Sequence, residues 1–156
     1  MFIKMQVKAG DVIKVNRGLY SHFGVYAGNN QVIHYTGATG PEDFNGIVRE
    51  TSLEEFLNGA EKFDICNFPE HPSFNLVTKN SSTVFKIWQT IKNLQIANYK
   101  LYSPEETVRR ARSKLGEGGY NLALNNCEHF AAWCKTGVRS SKQVNAILDF
   151  IALLIK

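Results

Sequence analysis

The stretch "HFGVYAGNNQVIHYTG", residues 22–37, predicts a β-hairpin from which the rest of the fold can be worked out. Two runs of strand-forming residues, 22–28 and 31–37, lie on either side of an Asn29-Asn30 pair. Asparagine tolerates the positive φ angles that tight hairpin turns require, so this pair predicts a turn between two antiparallel strands.

The pairing register of this hairpin decides whether its two histidines lie on the same face, because strand side chains alternate between faces. A strict two-residue turn puts His34 opposite Val25, on the face away from His22. An odd-length loop with a bulge puts His34 opposite Gly24, and His22 is then its diagonal neighbour within side-chain reach. A joint role for the two histidines therefore requires the odd-length loop.

The rest of the first half is predicted to contain strands, a long loop and one short helix. Alternating apolar and polar residues predict a strand over 10–17, and another strand is predicted over 62–68. Residues 36–46, rich in Gly, Pro, Asn and Asp, predict a long loop. Ser52, with Glu55 three residues later, forms a capping-box pattern that begins a short helix.

The second half has a helical pattern. Apolar residues at helical spacing predict an amphipathic helix over 82–95. A second helix is predicted to begin after Ser103 and to end at Gly116, and a third covers 127–136. Strands followed by helices indicate an α+β fold, in which an antiparallel sheet packs against helices.

Size and composition are those of one ordinary globular domain. The chain has 156 residues, of which 44% are hydrophobic and 21% are charged, which excludes a disordered or membrane-spanning class. A net charge of +4 favours anionic surfaces only weakly. Because the sequence has no RNA-binding aromatic signature and no Gly-rich phosphate loop, we expect no nucleic-acid partner.

Cysteine usage points to a reducing compartment. The three cysteines, Cys66, Cys127 and Cys134, are odd in number and form no CxxC pair. This pattern argues against both a disulfide framework and a zinc ribbon. The first ten residues lack the apolar run of a secretory signal, so we expect a cytoplasmic protein.

The segment "LALNNCEHFAAWC", residues 122–134, places a cysteine at a predicted helix start. With Asn125 or Asn126 as the cap, Cys127 lies in the first turn, where unpaired N–H groups and the helix dipole lower a thiol pKa. The same N–H groups, helped by the Asn126 side chain, are positioned to hold an oxyanion. Cys127 is therefore a candidate nucleophile.

A nucleophilic thiol needs a base, and the hairpin histidines are the best candidates. His71 lies in a Pro-flanked loop, and His129, two residues after Cys127, points away from it on the helix. With the odd register, His22 takes the thiol proton and His34 orients and polarises His22. Taken singly, each of these residue types more often fills a core position. A His₂Cys metal site lacks any closely spaced ligand pair, so no metal is expected.

Several stretches together resemble a known family. They are "NRGLYSHFGVYAG", "QVIHYTG" and "YNLALNNCEHFAAWCKTG", the last followed by "RSSKQV". The composite is similar to the lecithin:retinol acyltransferase-like family, a branch of the NlpC-like, permuted papain-type thiol hydrolases that includes small phospholipase A/acyltransferases. The resemblance implies a permuted papain-like (NlpC-like) catalytic domain over 1–143.

The resemblance also carries site residues over by position: Cys127 as nucleophile, His22 as base and His34 as the third member. Arg17 and Tyr20 match positions beside the family's active site, and Asn126 matches the residue before the nucleophile. The resemblance therefore implies that Arg17, Tyr20 and Asn126 contribute to oxyanion or substrate binding.

A reaction is implied as well. In the family, the thiolate attacks a glycerophospholipid acyl ester, forms an acyl-thioester and passes the acyl group to water or another acceptor. The implied partner is a phospholipid or another acyl ester, and no metal or cofactor is implied. A cysteine amidase or isopeptidase of the same superfamily is the alternative, and a non-catalytic lipid-binding or interaction module is a third interpretation.

The last residues, 144–156, form an apolar segment that we predict to be a helix. Thirteen residues reach about 20 Å as a helix, against roughly 30 Å of bilayer hydrocarbon, and Asp149 interrupts the run. The segment cannot span a bilayer alone. An interfacial helix, a helix packed on the domain and a partner-binding helix all stay open, so peripheral contact with membranes is compatible with the sequence.

Overall fold

The computed structural model describes residues 6–18, 20–37, 46–68, 99–118 and 123–139, together with 144, 145, 147, 148 and 151. Side chains are described for the same residues except 123–126. The helix predicted over 82–95 and most of the loop predicted over 36–46 lie outside the described residues.

An antiparallel sheet of five strands forms the centre of the described part. The strands are β1 (Val12–Asn16), β2 (Ser21–Gly28), β3 (Gln31–Thr36), β4 (Ile47–Ser52) and β5 (Asp64–Cys66). Their order across the sheet is β4-β3-β2-β1-β5, and every neighbouring pair is antiparallel. The central strand, β2, therefore carries His22, and β3 beside it carries His34.

Three helices are described, namely α1 (Leu53–Leu57), α2 (Pro104–Arg112) and α3 (Ala123–Thr136). The predicted caps of the first two are confirmed, because the Ser52 hydroxyl accepts from the Glu55 N–H and the Ser103 hydroxyl from the Glu106 N–H, each at 3.1 Å. Helix α2 ends at Arg112, before the predicted Gly116. Strands followed by helices confirm the α+β fold.

Strand β4 is an element that the sequence patterns left unassigned. It pairs with β3 along its whole length, from Ser52 opposite Gln31 to Ile47 opposite Thr36. It is an edge strand in which only Val48 is fully buried. Pairing with β3, rather than its own apolar content, therefore stabilises the strand.

The two faces of the sheet are covered by different helices. Phe23 of β2 packs in the larger core with α3, whereas Val32 of β3 packs in a smaller core with Phe56 of α1. Because strand side chains alternate, His22 and His34 lie on the α1 face, where both rings contact Phe56.

The C-terminal segment packs on the domain at the residues that are described. Val144, Ile147 and Ile151 are buried and belong to the same core as α3, and their spacing is that of one helical face. These contacts favour the packed helix among the three alternatives for 144–156. Among the described residues, no helix combines the length and the apolar character needed to cross a bilayer.

Candidate active site

The hairpin register brings the two histidine-bearing positions onto one face. Asn29 and Asn30 both have positive φ angles, 53° and 64°, and form the turn. A bulge at the Gly28 end of β2 adds one residue to that strand, so His34 pairs opposite Gly24. The odd register that the sequence analysis required is confirmed.

The imidazoles of His22 and His34 are joined by a buried hydrogen bond. His22 Nε2 lies 2.9 Å from His34 Nδ1, and the two residues are 4% and 1% exposed. The Phe56 ring lies 5.2 Å and 5.1 Å from the two imidazole rings and covers them on the α1 side. The bond therefore fixes the orientation of both rings away from bulk water.

Gly24 leaves space for the side chains of Val32, Phe56 and His34. A Cβ at this position would lie 2.7 Å from Val32 Cγ1, 2.9 Å from Phe56 Cε1 and 3.2 Å from His34 Cβ. The first two distances are shorter than any ordinary contact between carbon atoms. A glycine in the middle of β2 is therefore explained by the close approach of Phe56.

Thr51, on β4, continues the series of hydrogen bonds that joins His22 to His34. Its Oγ1 lies 2.8 Å from His34 Nε2 and also donates a hydrogen bond of 3.1 Å to the Ser52 carbonyl. The sequence analysis missed Thr51 because it did not assign β4. The available signal was the alternation in "IVRETS", residues 47–52, which puts every second side chain on one face.

Among the described residues, the β2–β3 ladder ends close to the two histidines, and residues 21–23 of β2 have a described strand partner only on the β1 side. The last pair of the β2–β3 ladder is Gly24 with His34. Alternation of the β1–β2 ladder directs the backbone polar groups of His22 toward β1, so those of Ser21 and Phe23 point to the β3 side. A polar atom from another element is needed to meet them.

The Cys127 sulfur lies at this end of the ladder. Its thiol donates to the Ser21 carbonyl oxygen at 3.8 Å, and the Phe23 N–H hydrogen-bonds the sulfur. The two backbone groups belong to the residues immediately before and after His22. Cys127, which is 2% exposed, thus reaches from the α3 face to the backbone of the histidine strand.

The predicted start of the last helix is wrong. Helix α3 begins at Ala123, so neither Asn125 nor Asn126 is its cap. Cys127 is the fifth residue of the helix, so the carbonyl four residues before it belongs to the helix as well. Cys127 therefore lies one turn into the helix rather than in its first turn, and the backbone N–H groups of Cys127 and Glu128 hydrogen-bond its sulfur.

The predicted lowering of the thiol pKa is also wrong. The pKa of Cys127 is raised to about 11, because burial outweighs the hydrogen bonds that the sulfur receives from the N–H groups of Phe23, Glu128 and Cys127 itself. The Glu128 carboxylate contributes to this rise. Because the sulfur is enclosed, loss of solvation outweighs the helix in this structure.

Burial acts on the imidazoles in the opposite sense. The pKa of His22 is lowered to about 3, chiefly by burial and to a smaller extent by the Arg17 charge. The pKa of His34 is lowered well below its ordinary value by burial, by His22 and by Arg17. Near neutral pH the site therefore holds an uncharged thiol and two neutral imidazoles.

Arg17 and Tyr20 lie in the turn that connects β1 to β2. The Arg17 N–H donates to the Tyr20 carbonyl at 2.8 Å, and Arg17 Nη2 donates to the Phe56 carbonyl at 2.5 Å. The guanidinium is close enough to both imidazoles to lower their pKa values. Tyr20 is half-buried in the same turn, and the Asn126 side chain lies outside the described residues.

The other histidines do not join the pair within the described part of the chain. His129 is half-buried on α3 beside a cavity of about 220 Å³ that Lys114 and Trp133 also line. His71 lies outside the described residues. Over the ranges described, no three His, Cys, Asp or Glu side chains are grouped as metal ligands would be.

The sequence matches known proteins over almost its whole length. The family model described as lecithin retinol acyltransferase matches residues 5–140. The chain belongs to the lecithin retinol acyltransferase family. This confirms the resemblance drawn from the motifs, and the matched range contains all six predicted site residues, Arg17, Tyr20, His22, His34, Asn126 and Cys127.

Curated members of this family give the same result. Lecithin retinol acyltransferase of Mus musculus is 27% identical over 153 residues, which cover 94% of this chain and 62% of the relative. Phospholipase A and acyltransferase 1 of Rattus norvegicus is 26% identical over 147 residues, covering 93% and 77%. Phospholipase A and acyltransferase 2 of Homo sapiens is 25% identical over 149 residues, covering 94% and 81%. The chain spans about 62% of the length of the lecithin retinol acyltransferases that it matches.

Proposed function

We propose that the chain is a cysteine-dependent acyltransferase and phospholipase. In this proposal it takes an acyl chain from a phospholipid ester as an acyl-thioester on Cys127 and passes the chain to water or another acceptor. One observation carries the proposal: the Cys127 sulfur is hydrogen-bonded to β2 on both sides of His22, whose imidazole is bonded to His34. The names of the relatives, an acyltransferase and phospholipase A/acyltransferases, support it.

His22 is the general base of this reaction. Its Nε2 is occupied by His34, which leaves Nδ1 to take the thiol proton. Burial keeps the pKa of Cys127 high and that of His22 low, so the resting pair is uncharged. The proton therefore moves to His22 while the sulfur attacks, rather than before the substrate arrives.

Acyl transfer then takes two balanced steps. The Cys127 sulfur forms a bond to the ester carbonyl carbon, and the carbonyl π electrons move to oxygen. Collapse of this intermediate breaks the bond to the glycerol oxygen, which takes the proton from His22. Water or another acceptor next gives its proton to His22, attacks the thioester carbonyl and releases the thiol, which regains that proton.

We assign to Arg17 the stabilisation of the negative charge that forms on the substrate oxygen during these steps. A fixed cation beside the reacting atoms stabilises an oxyanion without reorganising in a dry site. The Arg17 charge lowers the pKa of both imidazoles, so it acts electrostatically on groups within the site. Tyr20, in the same turn, and Asn126, before the nucleophile, are assigned to substrate binding.

We also propose that the protein works in peripheral contact with a membrane. Its substrate class is found at bilayer surfaces, and the chain carries a net charge of +4. A positive charge favours binding to anionic lipid surfaces.

Mass spectrometry of the intact protein tests the acyl-enzyme directly. The wild-type chain is incubated with vesicles of mixed phosphatidylcholine, phosphatidylethanolamine and phosphatidylserine. We expect one added acyl chain that neutral hydroxylamine removes, as it removes thioesters. Cys127→Ser loses the hydroxylamine-sensitive adduct, whereas Cys66→Ser, on the edge strand β5, retains it.

Two outcomes would contradict the proposal. A thioester adduct that persists in Cys127→Ser places the chemistry on another residue. Absence of an adduct with every lipid class, combined with cleavage of an isopeptide probe, favours the cysteine amidase or isopeptidase instead.

A further inference from the structure

We infer that Thr51 is a positioning residue that sets the protons on both buried imidazoles, so that His22 presents an unprotonated Nδ1 to the thiol. The inference rests on the proposed role of His22 as the base. It adds a fourth member to the proposed set of Cys127, His22 and His34, on a strand that the sequence patterns did not reveal.

The order of donors and acceptors in this series of hydrogen bonds follows from the Thr51 hydroxyl, which has one proton to donate. That proton goes to the Ser52 carbonyl oxygen at 3.1 Å. In the hydrogen bond of 2.8 Å between Thr51 Oγ1 and His34 Nε2, the imidazole N–H must then be the donor. A neutral imidazole carries one N–H, so His34 Nδ1 is left as an acceptor.

The next link follows in the same way. His34 Nδ1 lies 2.9 Å from His22 Nε2, and because it is the acceptor, His22 Nε2 carries the N–H. The lone pair of His22 is then on Nδ1, the nitrogen that His34 does not occupy. This is the protonation state that a base for the Cys127 thiol requires.

The opposite direction leaves one hydrogen bond fewer. If the Thr51 hydroxyl donates to His34 Nε2, the Ser52 carbonyl loses that donor. Both imidazoles then carry their protons on Nδ1, and His22 has no lone pair for the thiol. The Ser52 carbonyl, at the end of β4, accepts the proton of the Thr51 hydroxyl. It thereby favours the tautomers in which Nδ1 of both imidazoles is unprotonated.

Removal of the hydroxyl at constant shape tests the inference. Thr51→Val keeps the volume but removes both the acceptor for His34 and the donor to Ser52. We expect the rate constant of acylation to fall about tenfold, as loss of one net hydrogen bond predicts, while KM stays close to wild type. Thr51→Ser restores the hydroxyl and should recover most of the rate.

The tautomers themselves are read by ¹⁵N NMR of the imidazole nitrogens, which needs no substrate. In the wild-type chain and in Thr51→Ser, both Nδ1 atoms should have shifts of unprotonated nitrogens and both Nε2 atoms shifts of protonated ones. Thr51→Val should lose this pattern at His34 and His22. Thr107→Val is the control. It removes the hydrogen bond of 2.8 Å from the buried Thr107 hydroxyl to the Ser103 carbonyl on α2, and it should change neither the tautomers nor the rate.

The outcomes separate this inference from the proposed function. Wild-type tautomers and rate in Thr51→Val would overturn the inference, as would Nδ1-protonated imidazoles in the wild-type chain. If the wild-type tautomers are as expected but no ester acylates Cys127, the positioning role stands and the proposed function fails. If Thr51→Val does not fold, the wild-type spectrum and the rate of Thr51→Ser still decide the question.

Discussion

Buried neutral imidazoles make the stability of this protein sensitive to mild acid, and His22 is the residue to perturb. The folded pKa of His22 is about 3, against an ordinary value of 6.5. Between these values the unfolded chain binds a proton that the folded chain does not. The free energy of unfolding therefore falls as pH decreases through this window, and above about pH 7 the contribution is absent.

The size of the effect follows from the pKa difference. Below pH 6.5 each such imidazole costs about 1.4 kcal/mol of unfolding free energy per pH unit. Moving from pH 8 to pH 5 therefore lowers the free energy of unfolding by about 2 kcal/mol through His22 alone. His34, whose pKa is lowered in the same direction, adds to this loss.

Urea denaturation at pH 8 and pH 5 measures the effect in the wild-type chain and in His22→Gln. The variant should lose less stability on acidification than the wild type, by about 2 kcal/mol. His129→Gln is the control, because His129 is only half-buried and its variant should retain most of the wild-type pH dependence. Equal pH dependence in the wild type and His22→Gln would refute the assignment of His22 as a buried neutral imidazole.

Three further predictions concern the same site. Gly24→Ala should destabilise the fold by about 1–3 kcal/mol in urea titrations, since its Cβ would overlap Val32 Cγ1; unchanged stability would contradict the packing described. The pH profile of kcat/KM should be flat between pH 6 and 9, because the pKa of His22 is about 3 and that of Cys127 about 11; an inflection near pH 7 would indicate a preformed ion pair. Arg17→Gln should raise the pKa of His22 in an NMR titration, because a nearby positive charge is removed; an unchanged or lower pKa would place the guanidinium elsewhere.

The hairpin and the helix caps could be predicted from sequence because their causes are local. Two consecutive asparagines select a turn with positive φ, and a serine three residues before a glutamate selects a helix start. The register needed one more fact, the bulge at the Gly28 end of β2. Sequence reasoning reduced it to two alternatives with opposite consequences for His22 and His34, and the structure selected one.

The missed features depend on contacts between segments that are distant in sequence. Strand β4 forms because β3 offers it a free edge, and its own residues carry little apolar signal, so Thr51 was not recognised. The sign of the thiol pKa shift was wrong because the burial of Cys127 by the sheet is a tertiary property. The asparagines before Cys127 have the composition of a cap, but helix α3 extends through them to Ala123.

The most direct test of the central claim is the pre-steady-state release of p-nitrophenol from a p-nitrophenyl acyl ester. If Cys127 carries the acyl group, the wild-type chain gives a burst close to one equivalent, and Cys127→Ala gives none. His22→Gln should slow the burst without changing its amplitude. A full burst in Cys127→Ala would show that the sulfur at the end of the hairpin ladder is not the nucleophile.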